Sequence, residues 1–420
     1  MTERVRARID AMAFKGYGIS RIDGKVVFVP YTVPGDEASV ERVEEKKNYA
    51  VGRLVEILVP SRWRVVPRCP YFGRCGGCQW QQLDYSKQMD LKEEILKDIL
   101  TRLGGLKEIP PIAVLPSPDP YDYRTRVQLK AKEEKLGYYQ ERSHNLVDIE
   151  RCPIAHPLVN EIIRWLRKDL PLFSSLEEIE INVSPEEGKG VLILNPLKPS
   201  QQVKTSMERF LRFHPLLKGI AILREKGTAF LGDPHLHINL PLNLTLRTSP
   251  GTFSQVNLKQ NEKLLQKVLE FSGAERDERV LDLYSGVGNF TLPLASIKKE
   301  AWGVEENRVA VKDARWNAEL NEIKNCNFTQ GRAEEVLRNW KREKPDLIIL
   351  DPPRTGCKRI LGQLTGLKPR RMVYVSCEPT TFARDLCFFS EKGYSLQELA
   401  LIDMFPQTYH MEVVGLLKQS

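Results

Sequence analysis

Residues 280–290, VLDLYSGVGNF, constrain the fold of this chain more than any other stretch. An apolar run of strand length meets a turn bearing Gly286 and Gly288, and a helical pattern follows. In doubly wound α/β folds a ligand sits outside the carboxyl end of such a first strand, where glycines admit close backbone approach and the next helix offers free N–H groups. The spacing Asp282-x-x-x-Gly286-x-Gly288 differs from the Gly-x-Gly-x-x-Gly of dinucleotide sites, so the loop suits a cofactor that lacks a pyrophosphate. The run from Ala301 to Val304 then ends in Glu305, where an acid at the end of the second strand grips two ribose hydroxyls. A bare Gly-x-Gly turn is also an ordinary strand–helix connection; Asp282 and Glu305 in register with it favour a cofactor.

At 420 residues the chain exceeds one hydrophobic core, and two or three domains are expected. No apolar run approaches the roughly 20 residues that span a bilayer, and the start MTERVR lacks the apolar core of a secretory signal. A cytoplasmic monomer without a membrane partner is expected. The net charge of +8 is compatible with a polyanionic partner without requiring one. Eight cysteines in such a chain argue against a disulfide framework and for metal or catalytic use of some of them.

Residues 1–60 alternate β-type runs, such as Val26 to Val29 and Ala50 to Ile57, with turn signals at Gly16, Gly24 and Gly35, which predicts a small closed barrel of five strands. Its cations (Arg4, Arg6, Arg8, Lys15, Arg21, Lys25, Arg42, Lys46, Lys47, Arg53) either track a phosphate backbone or form a solvated surface. Cys69, Cys75 and Cys78 follow with C-x5-C-x2-C spacing, and Cys152, also preceding a proline, is the best fourth ligand. Four thiolates suit zinc or a [4Fe–4S] cluster; one triplet plus a distant single, in place of two zinc knuckles, favours iron–sulfur. From Asp84 a helical stripe of Leu91, Ile95, Ile99 and Leu103 predicts a packing helix, and the proline-rich residues 109–120 read as a linker. Residues 121–245 mix strands with a helix near Pro157 to Arg167, an α+β pattern. Tyr123, Arg124, Arg126, Tyr138 and Tyr139 there are RNA-stacking groups or half-buried strand residues.

The glycine turn with Asp282 and Glu305 resembles S-adenosylmethionine (SAM)-dependent methyltransferases. Two later apolar strands end at Asp351-Pro-Pro-Arg354 and at Cys377-Glu-Pro379, and in a parallel sheet both ends face the methyl donor. Asp-Pro-Pro followed by an aromatic residue serves methylation of exocyclic amines; here Arg354 takes the aromatic place, and amine methylation stands as the runner-up. A thiol instead suits methylation at carbon, because adding it to uracil C6 turns C5 into a nucleophile. The C5 proton must then be removed, and Glu412, after the proline-turned loop at residues 403–410, is the candidate base. His410 either orients Glu412 or caps that loop. Cys357 and Cys387 read as packing residues, and Cys326 has no evident role.

The first 60 residues resemble a TRAM domain, an RNA-binding barrel. With the motifs C-x5-C-G-G-C, FSQVN, DLYSGVGNF, DPPR, VSCEP and HME, the whole chain resembles RNA uracil-C5 methyltransferases that carry a TRAM domain and an iron–sulfur cluster. The resemblance implies [4Fe–4S] ligation by Cys69, Cys75, Cys78 and Cys152. It further implies SAM contacts from Gln255, Tyr284, Asn289, Glu305 and Asp351, a nucleophile at Cys377 and a base at Glu412. Its expected architecture is α/β: a Rossmann-like methyltransferase domain at 83–114 and 246–420, the barrel at 1–60, and a central α+β iron–sulfur domain at 61–82 and 115–245. The expected substrate is RNA, 23S rRNA ahead of tRNA. An RNA-binding module with a vestigial cofactor site is the rival class. Glu378 replaces the family's usual Asn or Asp beside the nucleophile, and Ser285 a frequent Cys.

Overall fold

A computed structural model of the chain describes residues 4–132, 134–173, 176–196, 201–225 and 227–419. Its first unit is a six-stranded sheet. Arg4–Arg8 pairs antiparallel with Glu37–Glu45 at one edge, and Ala11–Met12, continuing the same segment, pairs with Gly18–Ile22 at the other. One segment thus joins both edges and curls the sheet into a barrel, which leaves few strand edges open. Ala7, Val27, Val29, Ala38, Val40 and Ala50 fill its interior. Gly52 is required there, since a Cβ would stand 2.4 Å from Val40 Cγ1. The sixth strand, Ala11–Met12, has two residues, too few for an alternating pattern to show in the sequence. Half of the ten barrel cations are engaged locally: Arg6 with Glu37, Lys25 with Glu45, Arg42 with Asp23, Lys46 with Glu44 and Arg53 with Glu41.

Seven strands form the central sheet, in the order Leu146–Asp148, Lys135–Tyr139, Arg126–Lys132, Leu176–Ser184, Lys189–Pro196, Leu217–Leu223 and Thr228–Gly232. Helices Pro157–Lys168 and Gln201–Phe213 pack on it. Pro157 begins the first helix where its missing N–H costs nothing, and Val159, Ile162, Ile163 and Leu166 form its buried stripe. The barrel meets this sheet at Glu141, which accepts hydrogen bonds from Tyr17 Oη at 2.9 Å and Tyr31 Oη at 3.4 Å.

The third sheet carries the strand–turn–helix unit. Its order is Cys326–Gln330, Glu300–Glu305, Arg279–Leu283, Leu347–Leu350, Arg371–Ser376, Glu412–Gln419, Tyr394–Ile402 and Ile112–Leu115. The first five are parallel and Glu412–Gln419 runs against them. Four of the five parallel strands are largely apolar because both faces are covered, whereas the edge strand Cys326–Gln330 buries only Phe328 fully. Leu281, Leu283, Ile348 and Leu350 pack on one side, and Val280, Leu347 and Ile349 on the other.

Two expectations are corrected here. The expected linker holds a strand: Ile112–Leu115 adds to this eight-stranded sheet beside Tyr394–Ile402, and prolines bracket it without interrupting its N–H groups. The helix Tyr85–Arg102, capped by Asp84 accepting from Ser86 N–H at 3.0 Å, leaves Leu103 55% exposed, because the helix ends one residue before it. Gln88 and Lys92, both without exposed surface, join Leu91, Ile95 and Ile99 on its buried side.

Candidate active site

The cofactor turn is held open by its own backbone. Tyr284, Gly286 and Gly288 all take positive φ, at 68°, 54° and 97°. The N–H groups of Tyr284 and Ser285 both donate to Val304 O, at 2.9 and 3.1 Å, which ties the turn to the neighbouring strand. A Cβ at Gly288 would lie 3.1 Å from Leu292, so glycine also allows the following helix to close in. Asp282 does not face solvent: it is fully buried and accepts from Thr291 Oγ1 at 2.5 Å, fastening the start of helix Thr291–Ala295.

Beside this turn lies a cavity lined by Gln255, Tyr284, Asn289 and Asp351, together with Phe253 and Ser285. Glu305 stands at its flank and not in its lining; its carboxylate accepts from Gly286 N–H at 3.0 Å and Asn307 N–H at 2.7 Å. Asn289 is oriented by a reciprocal pair of 3.0 Å hydrogen bonds with Asn261. The sequence reading missed one wall. Ile238, Leu240, Leu246 and Thr248, from the hairpin of Leu236–Leu240 and Leu244–Thr248, complete the cavity. The alternation of leucine and isoleucine around Pro241 was the available signal. Ser285 Oγ, in the cavity lining, and Asp282 Oδ1, buried beneath the same turn, have no partner among the described residues, and the free hydroxyl in the wall fits a polar ligand such as a nucleoside that carries an amino acid.

Further along the rim, Arg371–Ser376 and Glu412–Gln419 are antiparallel, and their ladder ends with Ser376 opposite Val413. Cys377 follows directly beyond that end, where Glu412 begins the partner strand, close enough for the Glu412 charge to act on the thiol. Asp351 ends the adjacent strand on the other side of Cys377. Burial pushes the Cys377 thiol up to about 12, the Glu412 and Asp351 charges add to the rise, and Arg354 opposes it. Burial also lifts Asp351 to about 7 and Asp282 to about 8, and moves Glu412 well above the usual carboxylate range. His410 makes no hydrogen bond to Glu412 among the described residues. Its ring packs near Tyr409 and Phe405, its N–H donates to Thr408 Oγ1 at 3.2 Å, and burial holds it down to about 3, a neutral imidazole. Glu378 folds back to accept from Thr380 Oγ1 at 2.6 Å.

Cys69, Cys75, Cys78 and Cys152 line one cavity of about 340 Å³, and Arg124, Arg354 and His410 line it as well. Gly77 N–H donates to Cys75 Sγ at 3.4 Å. Among the described residues no group of three or more His, Cys, Asp or Glu side chains is spaced to hold a metal ion. Cys357 is buried in the core as expected, and Cys326 donates to Ile323 O at 3.8 Å. Cys387 is exposed, not packed: on helix Pro379–Glu391 the inward stripe is Phe382, Ala383, Leu386 and Phe389, which turns position 387 outward.

Comparison with known proteins adds to this geometry. Residues 233–420 match the family tRNA (Uracil-5-)-methyltransferase, and residues 5–62 match the TRAM domain of tRNA (uracil(54)-C(5))-methyltransferase. The 23S rRNA (uracil(1939)-C(5))-methyltransferase RlmD of Pectobacterium atrosepticum is 36% identical, over 96% of this chain and 90% of its own. The chain belongs to the RNA (uracil-C5)-methyltransferase family. An uncharacterized RNA methyltransferase of Aquifex aeolicus is likewise 36% identical, over 99% of this chain and 98% of the relative. The crystal structure of Pyrococcus abyssi tRNA (uracil-54, C5)-methyltransferase with S-adenosyl-L-homocysteine superposes with a TM-score of 0.80 at 28% identity, covering 98% of this chain and 100% of that one. As a member of this family the chain is an enzyme that transfers a methyl group from SAM to C5 of uracil in RNA, and its N-terminal barrel is a TRAM domain. No helix among the described residues is long and apolar enough to cross a membrane.

Proposed function

We propose that the enzyme methylates one uridine of 23S rRNA by transient covalent catalysis, with Cys377 as nucleophile and Glu412 as base. The nearness of Cys377, at the end of its strand, to Glu412 at the start of the antiparallel neighbour, with Asp351 beyond the next strand, carries this reading. The Cys377 thiol gives up its proton to solvent, and the thiolate adds to uracil C6, forming a C–S bond and moving the C5–C6 electron pair so that C5 becomes an enolate carbon. Bound SAM supplies an electrophilic methyl. Glu412 then takes the C5 proton, the released pair restores the C5–C6 double bond, and the C–S bond breaks to return the thiolate. Gln255, Tyr284, Asn289 and Asp351 would hold SAM, and Glu305 would meet its ribose. The six-, seven- and eight-stranded sheets support a division into barrel, central and methyltransferase parts, although strand Ile112–Leu115 and the hairpin Leu236–Leu240/Leu244–Thr248 straddle the boundaries expected at 114/115 and 245/246.

Cys69, Cys75, Cys78 and Cys152 would hold a [4Fe–4S] cluster. Their convergence on one cavity supports this, since a cluster would bind each thiolate through its own iron.

The rRNA target rests on the full-length likeness to the Pectobacterium enzyme; the TRAM match to a tRNA enzyme favours tRNA as the second reading. Mapping 5-methyluridine in both RNAs from a deletion strain should show its loss from 23S rRNA alone. Loss from tRNA with 23S rRNA unchanged would assign the second reading instead.

A further inference from the structure

The loop at residues 403–411 delivers Glu412 to the rim without regular structure, and its carbonyls are held one by one from outside. Gln260 Nε2 donates to Asp403 O at 3.0 Å, Asn257 Nδ2 to Met404 O at 3.4 Å, Lys92 Nζ to Phe405 O at 3.4 Å and Tyr123 Oη to Pro406 O at 3.1 Å. The next carbonyl, that of Gln407, accepts from the N–H groups of Trp80 at 3.0 Å and Gln79 at 3.2 Å, the two residues directly after Cys78. Gln407 is also the strained point of the loop, with φ at +69°. A non-glycine residue keeps that conformation only when its surroundings over-determine it.

Gln88 supplies the determination. Its Oε1 accepts from Gln407 N–H at 3.1 Å, and its Nε2 donates to Gln407 Oε1 at 3.0 Å. The same Nε2 lies 3.1 Å from Trp80 O and 3.0 Å from Leu83 O. One turn along the helix, Lys92 pairs with Asp403 at 2.6 Å, both side chains fully buried, and Tyr85 Oη donates to the other oxygen of Asp403 at 2.8 Å. A single buried amide therefore grips both the backbone and the side chain of Gln407 while fastening the chain that leaves the cysteine loop.

We propose that Gln88 is a positioning residue for methyl transfer: it locks Gln407 in the left-handed turn, so that the cysteine loop and the loop bearing Glu412 stand as one body and the carboxylate faces Cys377. This rests on the reading of Glu412 as the base. Without the lock, Gln407 relaxes to negative φ and Glu412, five residues on, shifts. Addition of Cys377 to C6 does not use that carboxylate and continues, whereas loss of the C5 proton slows.

The test is a pair of substitutions, singly and combined, in the full-length enzyme. Gln88→Met keeps the bulk and removes the amide. It should lower kcat by about tenfold or more with the RNA KM nearly unchanged, the pattern of a lost transition-state placement. A denaturation-resistant protein–RNA adduct should build up, with binding of S-adenosylhomocysteine retained. Adding Gln407→Gly should recover turnover several-fold, because glycine holds positive φ without help. Gln407→Val, which leaves Gln88 in place, gives a second reading that does not depend on Gln88→Met folding. A β-branched residue resists positive φ, so Val should be slow and form adduct where Gly is not. Equal activity of the Gly and Val variants, or a double variant as slow as Gln88→Met, overturns the proposal. Failure of the base reading looks different: Glu412→Gln would then form no adduct, while the Gln88 and Gln407 variants still move kcat together.

Discussion

The acids along the catalytic rim hold their protons near neutrality before any cofactor arrives. Asp351 titrates at about 7 and Asp282 at about 8, both raised first by burial. The folded state thus binds more protons than the unfolded chain between about pH 4 and 8, and these groups make the free protein less stable as pH rises through that window. Binding of SAM runs the other way. Its sulfonium is a cation that favours the ionised carboxylate, whereas the sulfur of S-adenosylhomocysteine is neutral. The affinity ratio of SAM to S-adenosylhomocysteine should therefore climb between pH 6 and 8, by up to about tenfold per unit below the Asp351 midpoint. Calorimetry in buffers of different ionisation enthalpy should show proton release with SAM and little with the product. A ratio flat with pH would remove Asp351 from contact with the donor. Cys377 and Asp351 were legible in the sequence because each follows an apolar strand directly. Glu412 as partner of Cys377 was legible only as a carboxylate in reach, since the strand pairing that brings them near each other is not displayed in the sequence. Gln88 and Lys92 gave no sign: their partners Gln407 and Asp403 are remote in sequence, and a polar residue on an apolar helix face reads as a flaw until its partner is seen.

Four of the five parallel strands of the methyltransferase sheet were readable almost to the residue, because burial on both faces leaves largely apolar runs; the half-exposed edge strand Cys326–Gln330 was not. What escaped were pieces too short or too punctuated to show a period, such as Ala11–Met12 in the barrel and Ile112–Leu115 between prolines. The cysteine loop lies between these cases. Its spacing singled out Cys69, Cys75 and Cys78 as candidate ligands, and the fold brings them to one cavity with Cys152 from a distant segment. Protein prepared without oxygen should be brown and carry iron and sulfide in equal amounts, and Cys75→Ser should bleach it while binding of S-adenosylhomocysteine at the other cavity persists. Colourless protein holding one zinc per chain would reverse the assignment.

The assembled molecule places RNA-facing parts around one reactive rim. The barrel docks through Tyr17 and Tyr31 on Glu141, beside the cysteine cavity, and that cavity is lined on its far side by Arg354 and His410 of the methyltransferase part. Half of the barrel's cations are neutralised by neighbouring acids; among the described residues Arg4, Arg8, Lys15, Arg21 and Lys47 form no ion pair, and on the proposed reading these would meet phosphate. Such contacts would hold a folded RNA without reading its sequence, while on the proposed mechanism the target base leaves its stack to reach Cys377. Everything then turns on the division of labour between nucleophile and base. Incubating RNA and SAM with Glu412→Gln, then denaturing the mixture, tests it most directly. A methylated protein–RNA band should accumulate and should vanish when Cys377→Ala is added to the same chain. No band with Glu412→Gln, or a band that survives the loss of Cys377, would contradict it.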